Sequence, residues 1–148
     1  MFRRRKGRIE VLLVHLGGPF WKNKDDGAWT IPKGEFSDEE EPLDAALREF
    51  EEETGGVAAG AVTPLEPVRQ AGGKTVYAFA IEGDFDPATF KSNTFALEWP
   101  PKSGKRAEFS EVDQARWFSI DEAETKINKA QIALLRQLEQ PTRSPRQR

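Results

Sequence analysis

The sequence predicts a single domain of mixed α/β class, in which strands and helices pack around one core. Short aliphatic and aromatic runs come in the order strands, helix, strands, helix. This order differs from the regular strand and helix repeat of a parallel fold, so a mixed sandwich is favoured. A chain of 148 residues with 37% hydrophobic residues can bury such a core without disulfides, and it contains no cysteine. We expect residues 1–139 to form the domain and the basic tail 140–148 to be disordered.

The predicted strands are short and rich in β-branched, aliphatic or aromatic residues. They cover residues 8–16, 28–32, 74–84 and 115–120. Lys6 and Gly7 give a turn signal, so residues 2–5 are expected to pair with 8–16 as a hairpin. Within 74–84, Val76, Ala78 and Ala80 alternate with Tyr77, Phe79 and Ile81. Because neither set is polar, we expect this strand to be buried on both faces.

Two helices are predicted from their end signals and their apolar spacing. Pro42 suits the first position of a helix, and Gly55 stands where helices commonly end in the left-handed conformation. The second helix is predicted over residues 119–140, where Ser119 and Glu122 have the spacing of a capping box. Its apolar residues recur at helical intervals: Ile127, Ala130, Leu134 and Leu138.

The first predicted helix lies in a segment with an unusual concentration of carboxylates. At about 100° per residue, its predicted core face consists of Leu43, Ala46, Leu47, Phe50 and Thr54. Glu49, Glu52 and Glu53 form a continuous flank beside that face, with Arg48 as the nearby cation. These carboxylates repel one another, and Glu53 borders the core, where a charge is costly. Mg²⁺ or Mn²⁺ would relieve the repulsion, whereas a solvated acidic face is the alternative.

The spacing of these residues resembles the signature of the Nudix hydrolase family. Its glycine and charged positions are matched in this chain by Gly34, Glu40, Arg48, Glu49, Glu52, Glu53 and Gly55. Gly56 departs from the pattern, because the family usually has an aliphatic residue there. The resemblance implies a Nudix fold, an α/β/α sandwich with a mixed central β-sheet. It also implies metal-dependent hydrolysis of a nucleoside diphosphate linked to another group.

The same resemblance implies roles for individual residues. Glu52 and Glu53 would be metal ligands, Glu49 a ligand or the base that activates water, and Gly34 a carbonyl ligand. The catalytic set would be completed by Arg48, which would orient the glutamates, while Glu40 would support them. A further carboxylate ligand is expected from the loop before the last strand, where Glu111 is favoured over Glu108.

Substrate contacts are expected from Lys33, Tyr77, Lys102 and Lys105. The segment 97–106 combines an indole, two prolines and three cations, which suits phosphate contact and base stacking, although an ordinary surface loop is the alternative. The stretch WTIPKG resembles the diadenosine tetraphosphate hydrolase branch, which favours dinucleoside polyphosphates. Nucleoside triphosphates, nucleotide sugars, the 5′ end of RNA and a nucleotide sensor without activity are the alternatives.

The remaining expectations concern partners and location. The apolar run after the basic N-terminus is short and contains Glu10, so no membrane span is predicted. We expect a cytoplasmic monomer or homodimer whose partner is a small nucleotide. Nucleic acid is not expected beyond an RNA 5′ end, since the basic termini have the composition of solvated tails. His15, the single histidine, is expected to be a packed, hydrogen-bonded residue.

Overall fold

The computed structural model describes residues 1–34, 39–70 and 72–139, so the predicted tail 140–148 lies outside the described residues. The strands are β1 (Phe2–Arg5), β2 (Arg8–Leu16), β3 (Trp29–Thr30), β4 (Val62–Pro64), β5 (Val68–Arg69), β6 (Thr75–Val76), β7 (Phe79–Ile81), β8 (Thr94–Glu98), β9 (Arg106–Ser110) and β10 (Val112–Ser119). The helices are α1 (Pro42–Thr54), α2 (Ile120–Lys126) and α3 (Ile132–Glu139), with short 3₁₀ helices at Pro87–Thr89 and Lys129–Gln131. These elements confirm the predicted mixed class.

Strand β2 is the centre of the largest sheet. It pairs antiparallel with β1, β3 and β10, and the predicted β1–β2 hairpin turns at Lys6 and Gly7, both at positive φ. A parallel bridge between Phe2 and Glu82 brings the end of β7 to β1. The other strands form the antiparallel pairs β4–β7, β5–β6 and β8–β9. The sheet is therefore mixed, as predicted.

Both faces of β2 are buried. Val11 and Leu13 pack on one side with residues of α2 and α3, while Leu12 and Val14 pack on the other side with Phe50 of α1. Because successive side chains of a strand point to opposite faces, this one strand supplies both halves of the core. The helices consequently lie on the two sides of the sheet, which gives the α/β/α layering.

The strand predicted over residues 74–84 is interrupted. Strand β6 pairs with β5, whereas β7 pairs with β4, so the chain changes partner at Tyr77 and Ala78. Ala78 and Ala80 are buried as expected, but Tyr77 is 48% exposed. The prediction of burial on both faces was therefore wrong at Tyr77, because apolar alternation does not show where a strand changes partner.

The helix predicted over residues 119–140 is also divided. The capping box of Ser119 and Glu122 is confirmed, but α2 ends before Ile127, which has extended backbone. The N–H of Asn128 donates to the carbonyl of Trp29 at 2.8 Å, and Ile127 forms a bridge with Trp29. This pairing with β3 replaces the next helical turn. In the described part of the chain, no helix has the length and apolar character needed to cross a membrane.

His15 is a buried structural residue, as predicted. Its Nδ1 atom lies 2.7 Å from a carboxylate oxygen of Asp113, and its Nε2 atom lies 2.6 Å from the carbonyl oxygen of Lys24. Only 6% of the residue is exposed. Both ring nitrogens therefore have partners, and the imidazole joins β2 to Asp113 of β10 and to the loop at Lys24.

The departure from the family pattern at Gly56 has a packing reason. Helix α1 begins at Pro42 and ends at Gly55, which has φ 80° and whose N–H donates to the carbonyl of Glu51. A Cβ atom on Gly56 would lie 2.7 Å from Cδ1 of Phe85. The Phe85 ring stands 6.3 Å from that of Phe50 in a T-shaped contact, so an aromatic ring fills the space of the usual aliphatic side chain.

Gly56→Ile should therefore destabilise the domain by about 1–3 kcal/mol through overpacking against Phe85. In the background of Phe85→Ala the same substitution should cost clearly less, because the clash is removed. Val57→Ile, at a residue that is 72% exposed, is the matched control and should change the free energy of unfolding little. Denaturant unfolding measures the wild type, the two single variants Gly56→Ile and Phe85→Ala, the double variant and Val57→Ile. Strictly additive effects of the two single substitutions would contradict the packing explanation.

Candidate active site

The buried face of α1 includes two glutamates. It consists of Ala45, Glu49, Phe50, Glu53 and Thr54. Leu43, Ala46 and Leu47, predicted as core, are only half-buried, so the predicted face was rotated from the real one. The physical reason is the segment 31–34, which covers the acidic flank. The N–H of Lys33 donates to Oε1 of Glu53 at 3.3 Å.

Gly34 lies directly against the carboxylate of Glu49. A Cβ atom at Gly34 would stand 2.1 Å from Cδ of Glu49, far inside van der Waals contact. A glycine is needed here because no side chain fits between this backbone and the carboxylate. The backbone of Gly34 thus lies against Glu49, and its role as a carbonyl ligand stays a prediction.

Arg48 joins three of the signature carboxylates. Its Nε and Nη2 atoms donate to the two oxygens of Glu40 at 2.9 and 3.0 Å. Its Nη1 atom donates to Glu49 at 2.7 Å and to Glu52 at 3.1 Å. The hydrogen bonds to Arg48 lower the pKa of Glu40, and the same carboxylates raise the pKa of Arg48. One guanidinium therefore fixes the positions of the acidic side chains around it.

Glu53 is the most strongly perturbed carboxyl of the site. It is 5% exposed, and burial, opposed by the N–H of Lys33 and reinforced by the charges of Glu49 and Glu111, raises its pKa to about 8. Desolvation together with the charges of Glu49 and Glu52 also raises the pKa of Glu111. Because the charge of Glu49 acts on the carboxyls of both Glu53 and Glu111, and that of Glu52 acts on Glu111, the four residues share one electrostatic site.

The backbone of Asn93 connects Glu111 to the helix. The N–H of Glu111 donates to the carbonyl of Asn93 at 2.8 Å, and the N–H of Asn93 donates to the carbonyl of Glu52 at 2.9 Å. Glu108, the alternative ligand, instead accepts a hydrogen bond from Thr94 on the β8–β9 hairpin. The structure therefore brings Glu111, and not Glu108, to the acidic site.

The donor chemistry of this site fits a hard divalent cation. The four carboxylates of Glu49, Glu52, Glu53 and Glu111 have one guanidinium between them, and oxygen ligands are those that Mg²⁺ and Mn²⁺ prefer. In the described segments, no three carboxylates already meet at a common centre. Glu49 and Glu52 both turn to Arg48 instead, so binding would require these side chains to rotate.

A cavity of about 430 Å³ opens beside the acidic residues. Gly34 and Glu49 line one part of it, and Lys33 and Tyr77, two predicted substrate contacts, also line it. Its other walls are mainly apolar and come from α1, α3 and the strands near Tyr77. A largely apolar cleft beside charged groups is typical of a small-molecule site.

Lys102 and Lys105 lie away from that cavity. Both are exposed in the loop between β8 and β9, where the Glu98 carboxylate accepts the N–H groups of Lys102 and Gly104. The structure thus separates the four predicted substrate contacts into two places. Lys33 and Tyr77 stand at the cavity, and Lys102 and Lys105 stand on the hairpin.

Sequence reasoning missed two glutamines behind the cavity. Gln70 lines it, and Gln131, which is completely buried, hydrogen-bonds to Gln70. The two residues are 61 positions apart in loop and 3₁₀ segments, where no periodic pattern marks them.

The family model of the NUDIX domain matches residues 1–138. The chain belongs to the NUDIX domain family. An Arabidopsis thaliana protein named Nudix hydrolase 25 is 51% identical over 39 residues, 26% of this chain and 22% of that protein. An RNA pyrophosphohydrolase of Bartonella henselae is 31% identical over 108 residues, 63% of this chain and 57% of that protein. The chain thus spans between about a fifth and three fifths of these curated relatives.

Solved structures share the fold of this NUDIX domain. The NUDIX domain of Shewanella oneidensis NrtR, complexed with ADP ribose, has a TM-score of 0.59 at 20% identity, covering 93% of this chain and 80% of that one. A C. elegans Ap4A hydrolase binary complex has a TM-score of 0.58 at 22% identity, covering 93% and 88%. The predicted family and fold are confirmed.

Glu53 should make stability depend on pH when chelator is present. The folded protein holds this carboxyl neutral up to a pKa of about 8, whereas the unfolded chain ionises it at about 4.5. The free energy of unfolding should therefore fall as pH rises between these values, by at most about 1.4 kcal/mol per pH unit. Glu53→Gln should flatten this fall, and Mg²⁺ or Mn²⁺ should raise the melting temperature of wild type more than that of the variant.

The matched control for this measurement is Glu51→Gln, at an exposed position of the same helix. It should keep both the pH dependence and the metal response of wild type. An equal slope in wild type and Glu53→Gln would contradict the assignment of the buried carboxyl.

Proposed function

We propose that the chain is a Mg²⁺- or Mn²⁺-dependent pyrophosphohydrolase that cleaves a nucleoside diphosphate linked to another group. The observation that carries this proposal is the acidic site of Glu49, Glu52, Glu53 and Glu111 beside a largely apolar cavity that opens to solvent. Family membership and the two curated relatives, one named a Nudix hydrolase and one an RNA pyrophosphohydrolase, support it. A catalytically silent nucleotide sensor is disfavoured, because the signature carboxylates are all present.

The acidic site requires a cation before it can accept a phosphate chain. Carboxylates alone would repel the pyrophosphate, and a bound Mg²⁺ or Mn²⁺ would supply the positive charge that stabilises phosphate oxygens during transfer. Glu52, Glu53 and Glu111, with the carbonyl of Gly34, are the groups that would hold the ion. The raised pKa of Glu53 means that ion binding at neutral pH displaces a proton from this carboxyl.

Glu49 and Arg48 act on the reacting groups in this proposal. Glu49 is buried beside Gly34 and is a ligand or the base that removes a proton from the attacking water. Arg48 fixes the orientation of Glu49 by a hydrogen bond of 2.7 Å. Lys33, on the cavity wall next to Gly34, would contact the phosphate chain. Water attacks phosphorus directly, and no covalent enzyme intermediate is formed.

Dinucleoside polyphosphates are the favoured substrates. The cavity volume of about 430 Å³ lies in the range that encloses a nucleoside-sized group. The stretch WTIPKG gives a sequence likeness to the diadenosine tetraphosphate hydrolase branch, and an Ap4A hydrolase is among the proteins that share the fold. One nucleoside would enter the cavity while the phosphate chain crosses the acidic site.

The 5′ end of RNA is the second candidate substrate. A shallow groove at Gly18, Trp99 and Ser110 ends next to Glu111, and Phe20, 59% exposed, packs against Trp99 with ring centroids 5.4 Å apart. The exposed ring of Phe20 and the half-buried ring of Trp99, in the same region as Lys102 and Lys105, suit single-stranded nucleic acid. The RNA pyrophosphohydrolase named above is consistent with this candidate.

Glu52→Gln should lower kcat by on the order of 100-fold while leaving the fold intact, because it removes one charged ligand from the site. Glu51→Gln is the matched control and should keep wild-type turnover, since Glu51 is exposed. Product release is measured with dinucleoside polyphosphates, nucleoside triphosphates, ADP-ribose, nucleotide sugars and 5′-triphosphorylated RNA, with Mg²⁺, Mn²⁺ or chelator. Unchanged turnover in Glu52→Gln would refute the metal-site assignment.

Phe20→Ala separates the two candidate substrates. If RNA lies in the groove, loss of one stacking ring should raise KM for 5′-triphosphorylated RNA by about 10-fold, and KM for a nucleoside triphosphate should not change. Val57→Ala, at another exposed apolar residue, is the control. An unchanged KM for RNA in Phe20→Ala would remove the groove from the RNA site.

A further inference from the structure

The wall of the cavity contains one side-chain amide whose direction is fixed by the core. Gln70 lines the cavity and is half-buried. Its Oε1 atom accepts a hydrogen bond of 3.0 Å from Nε2 of Gln131. Because this oxygen already accepts from a buried donor, the amide nitrogen, a donor, is the atom that Gln70 has available first for a ligand.

The direction of this amide follows from a backbone donor. The N–H of Ile31 donates to Oε1 of Gln131 at 3.1 Å, and a backbone N–H can only be a donor. That bond identifies the oxygen of Gln131, so its Nε2 atom must be the one that faces Gln70 and Thr30. The hydrogen bonds from Ile31 to Gln131 and from Gln131 to Gln70 thus identify the oxygen and the nitrogen of both side-chain amides.

Reversing the direction of these hydrogen bonds would lower the stability of the fold. Gln131 has no solvent-exposed surface, so turning its amide would leave the Ile31 N–H opposite another donor inside the core. Such an orphaned buried group costs about 1–3 kcal/mol. Among the described residues, no acceptor takes the hydrogens of the Gln70 amide nitrogen, whereas its oxygen accepts from Gln131. The cavity wall consequently carries a donor that is fixed in direction before any ligand binds.

The surroundings of Gln70 suit a flat heteroaromatic group. The cavity extends from Glu49 to Gln70 and includes the apolar side chains of Leu47, Val76 and Leu134. Tyr77 supplies an aromatic ring on the same wall, and aromatic rings stack on nucleobases. A nucleobase in this space would have its edge, and not only its face, near polar atoms.

We propose that Gln70 is a base-specificity residue that selects 6-oxopurines over 6-aminopurines. The inference rests on the proposed function, since it places the nucleoside of the substrate in this cavity. Guanine presents two acceptors, O6 and N7, on its Hoogsteen edge, whereas adenine presents one acceptor and the N6 amino donor. When the fixed donor faces position 6 of the purine, O6 of guanine or hypoxanthine accepts from it, whereas the amino group of adenine is opposed by a second donor.

The test compares substrates that differ only in the base. Wild type should have a kcat/KM about 10-fold higher for the guanosine or inosine compound than for the adenosine compound with the same phosphate chain. Inosine separates the effect of O6 from that of the 2-amino group. Gln70→Glu replaces the amide nitrogen by an acceptor and still accepts from Gln131, so the guanosine-to-adenosine ratio should fall by at least about 10-fold.

Two further variants keep the proposal falsifiable. Gln70→Ala should bring the ratio towards one while metal-dependent hydrolysis of both substrates persists, and Gln114→Glu, at an exposed position on β10, should keep the wild-type ratio. A wild-type ratio near one, a preference for adenosine, or an unchanged ratio in Gln70→Glu would overturn the proposal.

Binding of GDP and ADP, measured by titration calorimetry, gives a readout that does not require turnover. If wild type hydrolyses no substrate, the proposed function fails, but tighter binding of GDP that Gln70→Glu abolishes would still support the specificity residue. Equal affinities for GDP and ADP in wild type would refute it whatever the activity.

Discussion

The rest of the site depends on placing like charges at the edge of the core and holding them with one arginine. Arg48 donates to Glu40, Glu49 and Glu52, so three carboxylates are kept in position although each repels the others. Among the described residues, Glu53 accepts a hydrogen bond from the N–H of Lys33 and none from Arg48, and burial keeps it protonated up to a pKa of about 8. The helix can bury this face because the residue of the covering loop that contacts Glu49 is a glycine, Gly34. A side chain at this position would clash with the Glu49 carboxylate.

Backbone contacts carry this arrangement beyond the helix. Asn93 links the carbonyl of Glu52 to the N–H of Glu111, so the fourth carboxylate is positioned by main chain and not by a salt bridge. The N–H of Gly17 in turn donates to the carbonyl of Glu111 at 2.9 Å, which ties the same loop to the end of β2. A buried central strand thus fixes the position of a charge that lies near the surface.

Features encoded by neighbouring residues could be predicted from the sequence. The bounds of α1 follow from Pro42 and Gly55, and the β1–β2 hairpin follows from Lys6 and Gly7. The rotation of α1, the break at Tyr77 and the end of α2 at Ile127 depend on partners far along the chain, which spacing alone does not identify. The Gln70–Gln131 pair is of the same kind, because its direction comes from the N–H of Ile31, which lies directly after β3 and far from both glutamines in the chain.

The positions of the two recesses explain how a substrate with two unlike halves would be held. The cavity borders the acidic site at Glu49, whereas the groove of Gly18 and Trp99 ends beside Glu111. A phosphate chain at the carboxylates would therefore have a different recess at each end. The Gln70 amide, a directional polar group, lies in the cavity wall, whereas the groove is lined by Lys22, Asp113 and the half-buried rings of Trp99 and Phe109. Under the proposed function, the cavity would select the base that it binds, whereas the groove would bind the other group without selecting its identity.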